Sequence, residues 1–263
     1  MSTAIAVPAL ASSTPVPRLL RCYALEARNE FLRLLRTPMF ALPTLLFPAM
    51  FYVLFASLTN GSASGPINPA VYMLAGYTVF GVMAPGMFGF GVAVATDRDS
   101  GWLRWRRASP MPPAAYLAAK LVMAMLFAAL VYATMAAAAV IVGGVRMAWS
   151  AWGALALVAS LGVVPFCAIG LFVGSLCRAQ AAPAIVNLIY LPMAFLSGLW
   201  LPLMLLPALL REAAPVWPSY HLAQLAYAAT AQPHAGSLLG HVAVLAGMTA
   251  LFLLLAWRRL ARA

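Results

Sequence analysis

The residues of this sequence best suited to acid–base or nucleophilic chemistry are three histidines and two serines near its C-terminal end. The histidines are His221, His234 and His241, and Ser219 and Ser237 lie close to them in sequence. A serine becomes a useful nucleophile when a histidine takes up its proton, and a histidine titrates near neutral pH. The closeness of these histidines and serines in sequence is compatible with an enzyme that has a histidine site. Ordinary polar residues are the simpler interpretation, since no HExxH motif or pair of carboxylates accompanies them.

A second concentration of polar residues is the segment 95–116, ATDRDSGWLRWRRASPMPPAAY, which separates two long apolar stretches. Asp99 or Ser100 could cap a short helix that runs to Arg107, and Pro110 would prevent its continuation. Such a helix would present side chains to a soluble partner. A solvated basic loop that only fixes the topology is an equal alternative. The candidate contact residues are Asp97, Asp99, Gly101, Trp102, Leu103, Trp105, Arg106, Ser109 and Pro110.

Neither group of polar residues carries the pattern of a metal or nucleotide site. The three cysteines, Cys22, Cys167 and Cys177, lack the spacing of metal ligands, and no Walker loop is present. We therefore expect this chain to bind no metal and no cofactor, and to hydrolyse no ATP by itself.

The elements that position these residues are predicted to be transmembrane helices. Hydrophobic residues make up 65% of the 263 residues and charged residues only 8%, against roughly 25% charged residues in average soluble domains. The apolar runs are continuous instead of alternating, which favours helices over a β-barrel. The predicted fold class is therefore all-α, a polytopic membrane protein. Its six predicted spans are residues 39–58, 71–95, 121–143, 151–176, 183–200 and 237–257.

Three segments outside the spans have their own predicted roles. Residues 1–17 are predicted to be a flexible tail, and 18–263 a single transmembrane domain. Apolar residues at helical spacing predict an amphipathic helix at 18–36 that lies along the inner leaflet, with a plain polar lead-in as the alternative. Residues 201–210 are apolar but interrupted by proline, which favours a re-entrant or interfacial piece. Trp217 and Tyr220 follow this piece, and aromatic residues of this kind prefer the membrane–water interface.

The distribution of charge predicts an orientation and argues against one mode of transport. With both termini in the cytoplasm, only Arg146 and Arg211 of the 16 lysines and arginines lie outside, as the positive-inside rule requires. No predicted span carries a charged residue in its middle, whereas proton-driven carriers need such groups. Gly170 and Gly174 predict a close helix contact, more often within a bundle than between subunits.

Four segments, taken in order, share a pattern with one family of membrane proteins. They are EFLRLLRTPMFALPTLLFPAMFYVLF, the acidic–Gly–hydrophobic–basic–Ser-Pro segment 97–110, SLCRAQAAPAIVNLIYLPMAFLSGLWLPLMLLP, and WPSYHLAQLAY. Together they resemble the permease subunits of the ATP-binding-cassette type-2 permease family of bacterial exporters. The resemblance covers almost the whole chain from Arg18. Asp97 and Asp99 stand where family members often have glutamates, and Trp102 stands where they have threonine.

The resemblance implies a transport subunit of the bacterial inner (plasma) membrane that exports an apolar or amphipathic drug, lipid or peptide. Such permeases pair as homodimers or heterodimers and bind two ABC ATPase subunits, which hold the ATP and Mg²⁺; nucleic acid is no partner. The segment 97–110 would dock on the ATPase, with the turn 177–182 and the helix 18–36 nearby. The candidate residues of an outer gate, at the outer end of the substrate groove, would be Pro202, Pro207, Trp217 and Tyr220. A membrane enzyme with an outer-face histidine site, or a non-transporting scaffold or sensor, is the alternative.

Overall fold

A computed structural model describes residues 16–59, 68–101 and 113–260, and every regular element in these ranges is helical. The helices are α1 (Val16–Leu35), α2 (Pro38–Thr59), α3 (Pro69–Ala84), α4 (Ala93–Asp99), α5 (Pro113–Ile141), α6 (Trp149–Leu176), α7 (Ala182–Leu196), α8 (Ala208–Ala213), α9 (Pro218–Ala229) and α10 (Leu238–Leu260). A π-helical stretch, Pro85–Val92, joins α3 to α4. The segments Leu203–Leu205 and Ala214–Val216 are 3-10 turns.

Five helical segments of the described chain are long and apolar enough to cross a membrane. They are Pro38–Leu58, Pro69–Asp99, Ala115–Ile141, Trp149–Leu176 and Leu238–Arg259. The prediction of an all-α, polytopic membrane protein is thus confirmed. The count of six stays a prediction, because α7 has 15 residues and is about 22 Å long at 1.5 Å per residue, against a hydrocarbon core of about 30 Å.

The helix that contains the third predicted span begins before that span does, at Pro113 instead of residue 121. The sequence places Lys120 in the connection, but α5 begins at Pro113 and contains Lys120 well inside the helix. Proline is favoured in the first turn of a helix because its missing N–H has no partner to lose there. The helix that contains the second predicted span also extends beyond it, since one continuous helical path runs from Pro69 to Asp99.

Glycines bring the second and fourth spans into direct backbone contact. A Cβ atom at Gly91 would collide with the backbone of Gly170, and one at Gly174 would collide with the carbonyl oxygen of Gly91. Gly86 faces the same helix, where a Cβ atom would lie 2.9 Å from the nitrogen of Cys167. The close contact predicted for Gly170 and Gly174 is confirmed, and it lies inside the bundle.

Helix α1 packs on α5 through part of its predicted apolar face. Ala27 is buried, and Phe31 and Leu34 pack against a small core that includes Phe127. The rings of Phe31 and Phe127 have centroids 5.2 Å apart. Leu20, by contrast, is 64% exposed. The helix predicted at 18–36 is therefore present, whereas its position along the inner leaflet stays a prediction.

The segment predicted to be re-entrant consists of short helical pieces. Pro202 and Pro207 precede the 3-10 turn Leu203–Leu205 and helix α8, and Trp217 precedes α9. Trp217 packs against the main core, and Tyr220 is buried. Whether this segment enters the membrane stays a prediction.

Candidate functional site

Four charged residues and one tyrosine meet where helices α1, α4 and α5 come together. We call Glu30, Arg33, Asp97, Tyr116 and Lys120 the polar junction. The ammonium group of Lys120 lies 3.1 Å from Glu30 Oε1 and 3.0 Å from Asp97 Oδ2. The hydroxyl group of Tyr116 donates to Asp97 Oδ2 at 2.6 Å, and Arg33 lies 3.6 Å from both carboxylates. Two negative and two positive charges therefore balance within one cluster.

The charged groups of the polar junction depend on one another, because the central cation, Lys120, has no access to solvent. The side chain of Lys120 is 0% exposed, and those of Glu30 and Asp97 are 8% and 7% exposed. A buried charge is tolerated when it is paired and hydrogen-bonded. Lys120 also lies 4.9 Å from the ring centre of Tyr116, a position that favours a cation. The junction therefore fixes α1 against α4 and α5.

A second set of contacts holds the end of α4 against the end of α6. Arg98 donates to the carbonyl oxygens of Ser175 and Cys177, at 2.7 and 2.5 Å. The Asp99 carboxylate accepts from the backbone N–H of Ala179 at 2.6 Å. The guanidinium group satisfies carbonyl groups at the C-terminus of α6 that have no partner within the helix. The turn after α6 is thereby tied to the last residues before Gly101.

Of the residues predicted to contact a soluble partner, some belong to these two sets of contacts and the others lie outside the residues that the structure describes. Asp97 belongs to the polar junction and Asp99 to the tie with α6. Gly101 follows with φ 75°, a conformation that glycine adopts without strain. The short helix predicted to run to Arg107 stays a prediction. Outside the described residues lie Trp102, Leu103, Trp105, Arg106, Ser109 and Pro110.

A cavity of about 510 Å³ opens beside the junction, between α1 and the end of α4. Its lining is Glu26, Asn29, Glu30, Arg33, Asp97 and Ser100. Three of the five acidic residues in a chain with 16 basic ones thus line one space. Ser100 directly precedes Gly101, so the cavity lies at the base of the segment that follows.

The histidines do not form a serine–histidine site among the described residues. His221 and His241 meet, with their Nδ1 atoms 2.8 Å apart, but His234 contacts the carbonyl oxygen of Gln232. Ser219 is hydrogen-bonded to Ser197 and to the carbonyl oxygen of Met193. Its hydroxyl group therefore has no histidine to take up its proton.

Comparison with known proteins decides the family. A family model described as "ABC-2 family transporter protein" matches residues 57–258, more than half of the chain. The chain belongs to the ABC-2 transporter family. This ABC-2 protein is also 27% identical over 192 residues to "Putative transport permease YvfS" of Bacillus subtilis (strain 168), a match that covers 73% of this chain and 78% of the relative.

Family membership confirms the predicted resemblance and supports one part of the predicted function, the role of a transport permease subunit. An ABC-2 protein with five long apolar helices is a multi-pass transport permease subunit. Membership also implies an ABC ATPase as its partner.

Sequence reasoning missed most of the polar junction in this ABC-2 permease. Glu30 lies one helical turn from Ala27 and Leu34, on the buried face of α1, so its position on that face was a signal. Lys120 directly precedes an apolar run, which made it look like the end of a loop. Arg33 and Tyr116 carried no sequence signal, because only the fold brings them to Asp97.

Proposed function

We propose that this chain is the transmembrane permease subunit of an ATP-driven exporter that moves an apolar or amphipathic substrate out of the cytoplasm. Drugs, lipids and peptides are the substrate classes that fit. The energy comes from a separate ABC ATPase, which binds ATP and Mg²⁺, and the chain itself performs no catalysis. The observation that supports the proposal is the convergence of four helices, α1, α4, α5 and α6, at the first residues of the segment 97–110.

The segment 97–110 docks on the ATPase in this proposal, and the two sets of contacts made by its first residues, from Asp97 to Asp99, transmit the motion. The polar junction connects the segment's base to α1 and α5. The contacts of Arg98 and Asp99 connect it to the end of α6. Because the junction is buried and charge-balanced, a displacement of the segment moves these helices together instead of stretching a flexible loop.

The proposed orientation places the polar junction and both termini in the cytoplasm of a bacterium, at its inner membrane. The rings of Phe172 and Phe252 have centroids 5.7 Å apart, which sets the C-terminal half of α10 beside the C-terminal half of α6. Arg258 and Arg259, in the last turn of α10, therefore share the end of the bundle that carries the junction. This agrees with an excess of positive charge on the cytoplasmic side.

A second permease copy, identical or related, completes the proposed transporter. In the single chain the outer face of α2 is apolar and uncovered, with Phe47, Met50 and Leu54 between 50% and 55% exposed. On α7, Leu188 is 74% exposed. A groove between two such faces has no charged side chain that an apolar substrate would have to desolvate. The segment with Pro202, Pro207, Trp217 and Tyr220 bounds its outer end.

Co-purification with the ATPase tests the coupling role of the segment. Wild type is compared with Trp102→Ala, Leu103→Ala and Trp105→Ala, each expressed with the candidate ATPase. Trp149→Ala is the matched control, because Trp149 is 90% exposed and begins α6 at the opposite end of that helix from the junction. We expect the three variants to insert into the membrane and lose the ATPase, and the control to retain it.

Two results would count against the exporter. If wild type binds no ATPase, an enzyme or a non-transporting scaffold becomes the better reading. If cells that lack the protein show unchanged sensitivity to amphiphiles but lose export of a polar sugar, the apolar substrate class is wrong.

A further inference from the structure

The two histidines that meet near the start of α9 and the start of α10 make three polar contacts with defined partners. His221 Nε2 lies 2.8 Å from the carbonyl oxygen of Pro215, and His241 Nε2 lies 2.6 Å from that of Ala235. The two Nδ1 atoms lie 2.8 Å from each other. Both residues are buried, at 8% and 6% exposure. All four ring nitrogens are therefore engaged.

The contacts determine how many protons the two rings must carry. A carbonyl oxygen only accepts, so each Nε2 atom must carry a hydrogen and donate it. A neutral histidine has only one N–H group, so two neutral rings would have bare Nδ1 lone pairs facing each other at 2.8 Å. One further proton between the Nδ1 atoms removes this repulsion and makes an N–H···N hydrogen bond. A fourth proton would set two N–H groups against each other.

We propose that His221 and His241 form a proton-binding site that holds one shared proton and thereby clasps α9 to the start of α10. The site is a singly charged imidazolium–imidazole pair. His241 donates from both nitrogens, to His221 Nδ1 and to Ala235, while His221 donates only to Pro215. The clasp depends on the pH of the solution at that end of the bundle, and it is independent of the exporter proposal.

The surroundings of the pair leave the shared proton without a carboxylate partner. Tyr220 lies edge-on to both rings, with centroid distances of 5.3 and 6.0 Å. Burial raises the pKa of the Tyr220 hydroxyl group, so it stays neutral. Among the described residues, no other titratable group of the packed elements or adjoining segments has a hydrogen bond or ion pair with either histidine. Those groups are Tyr72, Tyr77, Cys167, Arg211, Glu212, Tyr227, His234, Arg258 and Arg259.

The electrostatics of His221 agree with its place as the neutral ring that accepts the shared proton's hydrogen bond. Burial, and then the nearby charge of His241, lower the pKa of His221, while the hydrogen bond to Pro215 opposes the shift. A second proton is therefore bound only in more acidic solution. The separation also fits a hydrogen bond better than a metal, since two nitrogens at about 2.0–2.1 Å from a tetrahedral Zn²⁺ would lie roughly 3.3 Å apart.

Solid-state NMR of the full chain in lipid, labelled with ¹⁵N-histidine, counts the protons directly. The chain has three histidines, so His234→Gln leaves only the pair. At a pH one unit above the ordinary histidine pKa of about 6.5, we expect one imidazolium for two rings and a correlation between the two Nδ1 nitrogens. Two unprotonated Nδ1 atoms at that pH, or two independent titrations, would overturn the proposal.

Thermal melting in one detergent across a pH series provides a second test. As pH rises and the shared proton is lost, wild type should melt several degrees lower, and His234→Gln should show the same fall. His241→Gln, which has no pair to deprotonate, should show no such fall. The same pH dependence in His241→Gln as in wild type would overturn the clasp. If that variant fails to fold, the proton count in His234→Gln still decides.

Discussion

Replacing Lys120 with methionine should destabilise the protein more than any other single loss of charge. Methionine keeps much of the length of the side chain but leaves Glu30 and Asp97 buried without their shared cation, which now contacts them at 3.1 and 3.0 Å. Removal of one partner from a buried ion pair costs about 3–5 kcal/mol. At about 2–4 °C per kcal/mol for a chain of this size, the melting temperature in detergent should fall by roughly 6–20 °C.

A control and a rescue separate loss of the pair from loss of one positive charge. Arg146 is exposed, so Arg146→Met should change the free energy of unfolding by no more than about 0.5 kcal/mol. The triple variant Lys120→Met, Glu30→Gln, Asp97→Asn removes the stranded carboxylates and should recover most of the lost melting temperature. The reasoning is refuted if Lys120→Met melts like Arg146→Met, or if the triple variant is no more stable than the single one.

Three further predictions follow from contacts described above. Gly91→Ala should cost about 1–3 kcal/mol or more through overpacking, seen as a lower yield of monodisperse protein, whereas Gly153→Ala, with open space around it, should behave as wild type. Asp99→Ala, at an exposed position, should lower the melting temperature much less than Lys120→Met does, and it should lower ATPase stimulation by the permease; unchanged stimulation would refute its role. Tyr72→Leu should cost about 0.5–1.5 kcal/mol by loss of the stack on Tyr227, whose ring centroid is 4.2 Å away; Tyr72→Phe, which keeps the stack and loses only the hydrogen bond to the side chain of Tyr227, should melt between Tyr72→Leu and wild type.

The helical membrane architecture was predictable because it depends on local composition. Twenty apolar residues in a row must be helical in lipid, whatever their neighbours are. Small residues at Gly170 and Gly174 likewise indicated a close approach, since only glycine allows backbones to touch. These features need no knowledge of which helix packs on which.

The polar junction was not predictable because its members come from three separate helices. Lys120 and Glu30 are distant in sequence, and neither has a motif that indicates a buried pair. Hydropathy assigned Lys120 to the connection before the third span, because a charged residue next to an apolar run marks the end of a span, and gave no sign that Lys120 is helical and buried. The same holds for His221 and His241, which were identified as candidates but whose direct contact depends on how α9 meets α10.

The length of α7 shows a different limit. The apolar stretch 183–200 is continuous in sequence, yet α7 ends at Leu196 and Gly198 follows with φ 74°. Composition alone does not show where an apolar run stops being helical. The left-handed glycine is the feature that ends the helical path here.

The contact between Gly91 and Gly170 has a mechanical consequence. Where two helices meet backbone to backbone, no side chain is left between them to change rotamer and absorb a displacement. The second and fourth spans should therefore move as one rigid unit, one end of which carries Asp99. Any flexing of the bundle must therefore occur at its periphery. Helices α2 and α10 expose most of their surface, so they are the helices that can move relative to the rest of the bundle.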